Sequence, residues 1–152
     1  MTEDRAARFS IKIPGNIDYI PPVRKYIADL IGVCGFGDKF VFRSEVIIDE
    51  LCNNAVSHGS VKVDAAIDIV CTVFGDKIEL KIKDEGGSHR DKSVLDSVLN
   101  GSGNSSMHST ARNIGLEIVR LLSEKVSMEI DEKEGLTTIH VIRSCEGSEK
   151  KI

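Results

Sequence analysis

Glu50, Asn54 and His58 are spaced i, i+4, i+8 in a stretch from about Lys39 to His58 whose apolar residues recur at helical intervals. With Ile47 at the centre of the apolar stripe and about 100° per residue, Leu51 falls about 40° to one side. Asn54 and His58 fall within roughly 20° of the stripe centre, and Glu50 about 60° off it. A carboxylate or an amide on that face costs several kcal/mol unless something satisfies it. A ligand, a metal ion or an internal polar network can do so. For His58 alone, a cap that complements the C-terminal end of the helix dipole is the simpler reading. Glu50 and Asn54, one turn apart, read together as a site.

Three further features carry chemistry. Lys83-Asp84-Glu85-Gly86-Gly87 ends a predicted strand, and Asp84 continues the inward register of Ile78, Leu80 and Ile82. A buried carboxylate there can accept a hydrogen bond from an amino group deep in a pocket, and Gly86 permits close approach or a positive φ. Asn113-Ile114-Gly115-Leu116 follows a Gly/Ser-rich stretch and opens a predicted helix. Such a helix start can offer free backbone N–H groups to phosphate, or simply pack closely. Thr137-Thr138 lies in a late strand and on its own is ordinary strand composition.

These residues need elements to position them. Phe9 to Ile13 alternates as a short strand. A helix runs from Pro22 through Val23, Ile27, Leu30 and Ile31, with Gly32, Gly35 and Gly37 ending it. The helix from Lys39 to His58 follows. Ala65–Phe74 and Ile78–Asp84 form a hairpin around Gly75-Asp76. Residues 86–113, rich in Gly, Ser and Asn, read as a functional lid or a disordered segment. A helix from about Ile114 to Lys125 precedes a second hairpin, Val126–Ile130 and Leu136–Ile142, around Glu134-Gly135. A polar tail runs from 144 to 152. The order βααββ–lid–αββ predicts one α+β domain over residues 1–152: a two-layer sandwich whose mixed, mostly antiparallel sheet is covered on one face by helices.

Composition bounds the function. The chain has 152 residues, 41% hydrophobic and 29% charged, enough to bury a core. Its 20 Lys+Arg against 24 Asp+Glu, a formal −4, argue against a nucleic-acid footprint and against an anionic membrane surface. No apolar run reaches bilayer length, and MTEDRAARFS carries no signal-peptide core, so a cytoplasmic protein is expected. Cys34, Cys52, Cys71 and Cys145 form no close pair and read as reduced thiols packed as small hydrophobes.

The order and spacing of these features resemble the histidine-kinase-like (GHKL, or Bergerat) ATPases over nearly the whole chain. Glu50-Leu-Cys-Asn-Asn54-Ala-Val-Ser-His58-Gly59 resembles the N-box. Asp84-Glu85-Gly86 resembles the first glycine box, residues 86–113 the ATP lid, Asn113-Ile114-Gly115-Leu116 the second glycine box, and Thr137-Thr138 the late threonine box. Two departures fall at the lid hinges: Ser88 stands at the second glycine of D-x-G-x-G, and Asn113 replaces the first glycine of G-x-G. They bear on lid closure and rate more than on adenine binding. No phospho-acceptor helices or transducer domain are expected. The small members most resembled are the bacterial anti-sigma-factor serine/threonine protein kinases.

The resemblance implies ATP and Mg²⁺ as cofactors. Asn54 would hold Mg²⁺ that bridges the phosphates, and Glu50 would be the general base. Asp84, with Gly86 beside it, would bind the adenine amino group, and Thr137 or Thr138 would support that contact. Gly115 would offer its backbone N–H to phosphate. It implies as partners a sigma factor and an anti-sigma-factor antagonist, allows a homodimer, and gives Arg24 on the first helix a partner-binding role. Alternatives are a non-catalytic module of the same fold that sequesters a partner, and a detached histidine-kinase ATPase domain.

Overall fold

The computed structural model describes residues 5–59, 65–85 and 111–145. The elements run β1 (Arg5–Pro14), a 3-10 turn (Ile17–Tyr19), α1 (Ile20–Val33), α2 (Asp38–Gly59), β2 (Ala66–Phe74), β3 (Lys77–Asp84), α3 (Ala111–Leu122), β4 (Lys125–Asp131) and β5 (Leu136–Ser144). This is the expected α+β order. The strands form one five-stranded sheet in the order β1-β2-β3-β5-β4. All four pairings are antiparallel, in keeping with the mostly antiparallel sheet expected. The reason is the route of the chain: after α3 it enters at the edge as β4, and the hairpin at Gly135 (φ 68°) turns β5 back beside β3.

Local chemistry sets the ends of the elements. The Asn16 side chain accepts from the Asp18 N–H at 2.9 Å, and Pro21 and Pro22 occupy the first turn of α1, where a helix has no use for their missing N–H groups. The expected helix from Ile114 to Lys125 is shifted: α3 begins at Ala111 and ends at Leu122. Ser123 Oγ donates to the Val119 carbonyl at 2.5 Å, and the Glu124 N–H is taken by the Ile142 carbonyl at 2.9 Å. The sheet thus claims the chain before another helical turn can form. The expected tail also starts later, because Ser144 is the last residue of β5 and its Oγ donates to Glu124 Oε2 at 2.6 Å.

One face of the sheet carries the core. In register across β2, β3 and β5 run the rows Ile69–Ile82–Ile139 and Cys71–Leu80–Val141, all essentially inaccessible to water. Helices α1 and α2 cover them with Val23, Ile27, Ile31, Phe40, Ile47 and Leu51. Polar residues stand at both ends of this apolar ladder. At one end Ile78 faces Arg143, whose guanidinium lies 4.3 Å from the centre of the Phe40 ring. At the other end Asp84 faces Thr137. On the open face of the sheet Arg8, Val70, Thr72, Phe74, Glu79 and Lys81 line a shallow hollow of about 400 Å³, on the opposite side from Asp84 and Thr137. Ile47, fully buried on α2, fixes the helix that carries Glu50 and Asn54. Ile47→Ala is expected to lower unfolding free energy by about 2–5 kcal/mol, read from urea unfolding with an unchanged denaturant slope.

Candidate functional site

Helix α2 supplies the first part of the site. It packs against β3 on one side and α3 on the other. Asn54 is 8% exposed, and its Nδ2 has no hydrogen-bond partner among the described residues. An NH₂ group left so in a protein interior is costly and calls for an acceptor from outside the described chain. Glu50, one turn earlier, is half-buried. Burial, and then the neighbouring Asp49 charge, push its carboxyl above the usual glutamate range. A raised carboxyl pKa suits a group that must take up and release a proton. The His58 side chain lies outside the described residues.

The end of β3 supplies the second part. Asp84 is 2% exposed and Thr137 fully buried, and they are cross-strand partners on the inner face. Thr137 Oγ1 has no hydrogen-bond partner among the described residues. Asp84 and Thr137 together present a carboxylate acceptor and a hydroxyl that can both donate and accept. Such a pair can receive an amino group that donates to the carboxylate. Thr138 is placed differently: its partner is Lys83, so it stands on the open face of the sheet, and only Thr137 shares the interior with Asp84. Glu85 Oε2 accepts from the Ala66 N–H at 3.2 Å and ties the end of β3 to the start of β2. Gly86, Ser88 and residues 86–110 of the expected lid lie outside the described residues, and 111–113 belong to α3.

Gly115 is the fifth residue of α3, beyond the first four N–H groups that a helix leaves free. What the described residues show at this position is close packing against Glu50. A Cβ built there would stand 3.0 Å from Glu50 Cδ and closer still to Oε2. The carboxylate of α2 thus rests against the backbone of α3. Among the described residues no cluster of three or more His, Cys, Asp or Glu is arranged to hold a metal ion.

Arg24 lies on α1 against α2 and is 37% exposed. Its NH1 donates to Asp49 Oδ1 at 2.7 Å, and its Nε stands 3.4 Å from Glu45 Oε1. The two carboxylates hold its proton more firmly, through hydrogen bonding and charge. Sequence reasoning missed these acids, although Glu45 and Asp49 stand one turn apart on one flank of α2. It also missed Arg143, because the strand was taken to end at Ile142; one more step of the same alternation puts Arg143 inside.

The described helices include none long and apolar enough to cross a membrane. The thiols of Cys52 and Cys71 are pushed up to about 12 by burial, which keeps them protonated, as expected of packed cysteines.

The chain is similar to serine-protein kinase RsbW of Bacillus cereus (strain B4264), 25% identical over 137 residues that cover 90% of this chain and 84% of that protein. The RsbW of Bacillus mycoides (strain KBAB4) is 23% identical over the same shares of both chains. Among solved structures, a chain from the crystal structure of the SiaB–SiaC complex from Pseudomonas aeruginosa shares the fold, with a TM-score of 0.58 at 9% identity over 94% of this chain and 92% of that one. A model of the histidine kinase-like ATPase domain matches residues 13–143, and the chain belongs to that family.

Proposed function

We propose that this chain binds Mg-ATP and transfers the γ-phosphoryl group to a serine or threonine hydroxyl of an anti-sigma-factor antagonist, and that it holds a sigma factor when the antagonist is phosphorylated. The observation that carries the reading is two buried polar atoms without a hydrogen-bond partner among the described residues: Thr137 Oγ1, on the strand paired with Asp84, and Asn54 Nδ2 on α2. The serine-protein kinases it is similar to support the reaction class.

The adenine amino group is assigned to Asp84, with Thr137 completing the contact. Asn54 is assigned to the phosphates, its carbonyl oxygen as a magnesium ligand and its NH₂ as a donor to phosphate oxygen. Magnesium keeps most of its waters and needs few protein ligands, which fits an amide with no carboxylate cluster among the described residues. When bound, it supplies neutralisation of charge on the phosphate oxygens. Glu50 takes the proton from the substrate hydroxyl as that oxygen bonds to the γ-phosphorus and the bond to the ADP oxygen breaks. The proton then passes from Glu50 to water. Arg24 is assigned to the partner surface, where an acidic group of the partner would compete with Glu45 and Asp49 for its guanidinium.

Asp84→Asn replaces an acceptor with a group that also donates. At a buried contact this mismatch costs about 1–3 kcal/mol, so at least a tenfold loss of ATP affinity by calorimetry is expected with the fold retained. Unchanged affinity would remove Asp84 from the site.

Glu50→Gln tests the base. It is expected to bind Mg-ATP and partner as wild type does while phosphate transfer falls by about 10²–10⁴. The folded protein holds the Glu50 proton to higher pH than the unfolded chain. Ionisation therefore costs stability as pH rises from the ordinary value, 4.5, through the raised one. The variant avoids this, and should be more stable than wild type near neutrality, with the difference vanishing in acid. Transfer at the wild-type rate would sink the base assignment. Absence of transfer by wild type, with sigma-factor binding intact, would favour a non-catalytic sequestering module.

Arg24→Ala is expected to weaken antagonist or sigma-factor binding while leaving ATP affinity in place. Loss of both together would deny Arg24 a specific partner role.

A further inference from the structure

Gly32, Gly35, Gly75 and Gly135 have room for a methyl group, whereas Gly115 does not. Its φ is not positive, so the backbone there is one that any residue adopts. Glycine inside a helix is less favourable than alanine, and a packing or site reason must offset that. The three atoms nearest to a Cβ at this point all belong to one side chain, the carboxyl arm of Glu50. The glycine therefore makes room for a functional group and not for a helix crossing. Because the obstructing atoms are the far end of a flexible side chain, a methyl group here would displace the carboxylate and leave the helices where they are.

We propose that Gly115 is the positioning residue for Glu50: the bare backbone of α3 is the seat of the carboxylate and fixes where it stands. This rests on the reading of Glu50 as the base. It gives α3 a task that α2 alone cannot perform. The rotamers of a glutamate on α2 sweep a wide arc, and only a second element can select one of them. Any displacement of α3 along α2 then moves the seat and with it the point at which a proton is accepted. A carboxylate misplaced by about 1 Å can lose a hundredfold in rate without any loss of binding.

The test is a two-site comparison in the full chain. Gly115→Ala should fold, keep KM for ATP within about threefold and lower kcat about a hundredfold. Glu50→Asp, one methylene shorter, should lower kcat on its own yet raise it when added to Gly115→Ala, because the shorter arm clears the new methyl group. A thermal-unfolding cycle gives a readout that needs no kinase activity. The change in midpoint caused by Gly115→Ala should differ between wild type and the Glu50→Ala background, where the helix gain from alanine appears in full. The proposal is overturned if that change is the same in both backgrounds, or if Glu50→Asp lowers kcat equally with and without Gly115→Ala. Unfolding of Gly115→Ala in both backgrounds would also overturn it, while unfolding in wild type alone would support it. If wild type transfers no phosphate, the base reading fails, and the unfolding cycle still decides whether Gly115 seats Glu50.

Discussion

The register between β3 and β5 governs both the core and the site. Side chains on a strand alternate with a period of two, so a slip of one residue would turn Leu80, Ile82 and Asp84 to the open face together. The apolar rows through Ile82 and Leu80 make such a slip costly, since each buries large side chains against α1 and α2. Asp84 is carried into the interior by the hydrophobic residues that precede it. Its burial needs no favourable term of its own, because the two isoleucines and the leucine on β3 hold the strand in place. Thr137 arrives from the other strand by the same means, ahead of Ile139 and Val141.

Helix α2 shows the same division. Ile47, Ile48 and Leu51 anchor it, and Asn54 rides on the continuation of that stripe into a place where its Nδ2 has no partner among the described residues. Glu50 lies on the flank of the stripe, near enough to the interior to lose water and far enough from it to remain half-buried. The structure therefore keeps two kinds of polar group. Asn54 and Thr137 have been committed to burial, and Glu50 stands at the boundary, where its protonation can change. Mutations in the anchoring residues and in the polar residues should consequently separate: the first act through stability and the second through chemistry.

Much of this was legible in the residues. The inward place of Asp84 follows from simple alternation, and the burial of Asn54 follows from counting helical angles from Ile47. What was not legible depends on distances between segments far apart in the chain. Thr137 and Thr138 are neighbours of the same type, and only the pairing of β5 with β3 tells which one meets Asp84. The contact of Gly115 with Glu50 is set by how closely α3 approaches α2, which no local pattern encodes. The start of α3 at Ala111 was missed because Ala111, Arg112 and Asn113 adjoin a stretch whose composition reads as loop.

The four cysteines, alike in composition, are sorted by the fold into two sealed and two partly accessible thiols. Cys52 lies on α2 between Glu50 and Asn54, yet it faces the core; Cys34 closes α1 and Cys145 follows β5. A thiol-directed fluorophore or spin label would thus select Cys34 and Cys145 in the native protein and reach the other two only after unfolding. The molecule carries its own reporters on the helical layer and at the sheet's end. Removing either one leaves a singly labelled protein whose α2 and β3 walls are untouched.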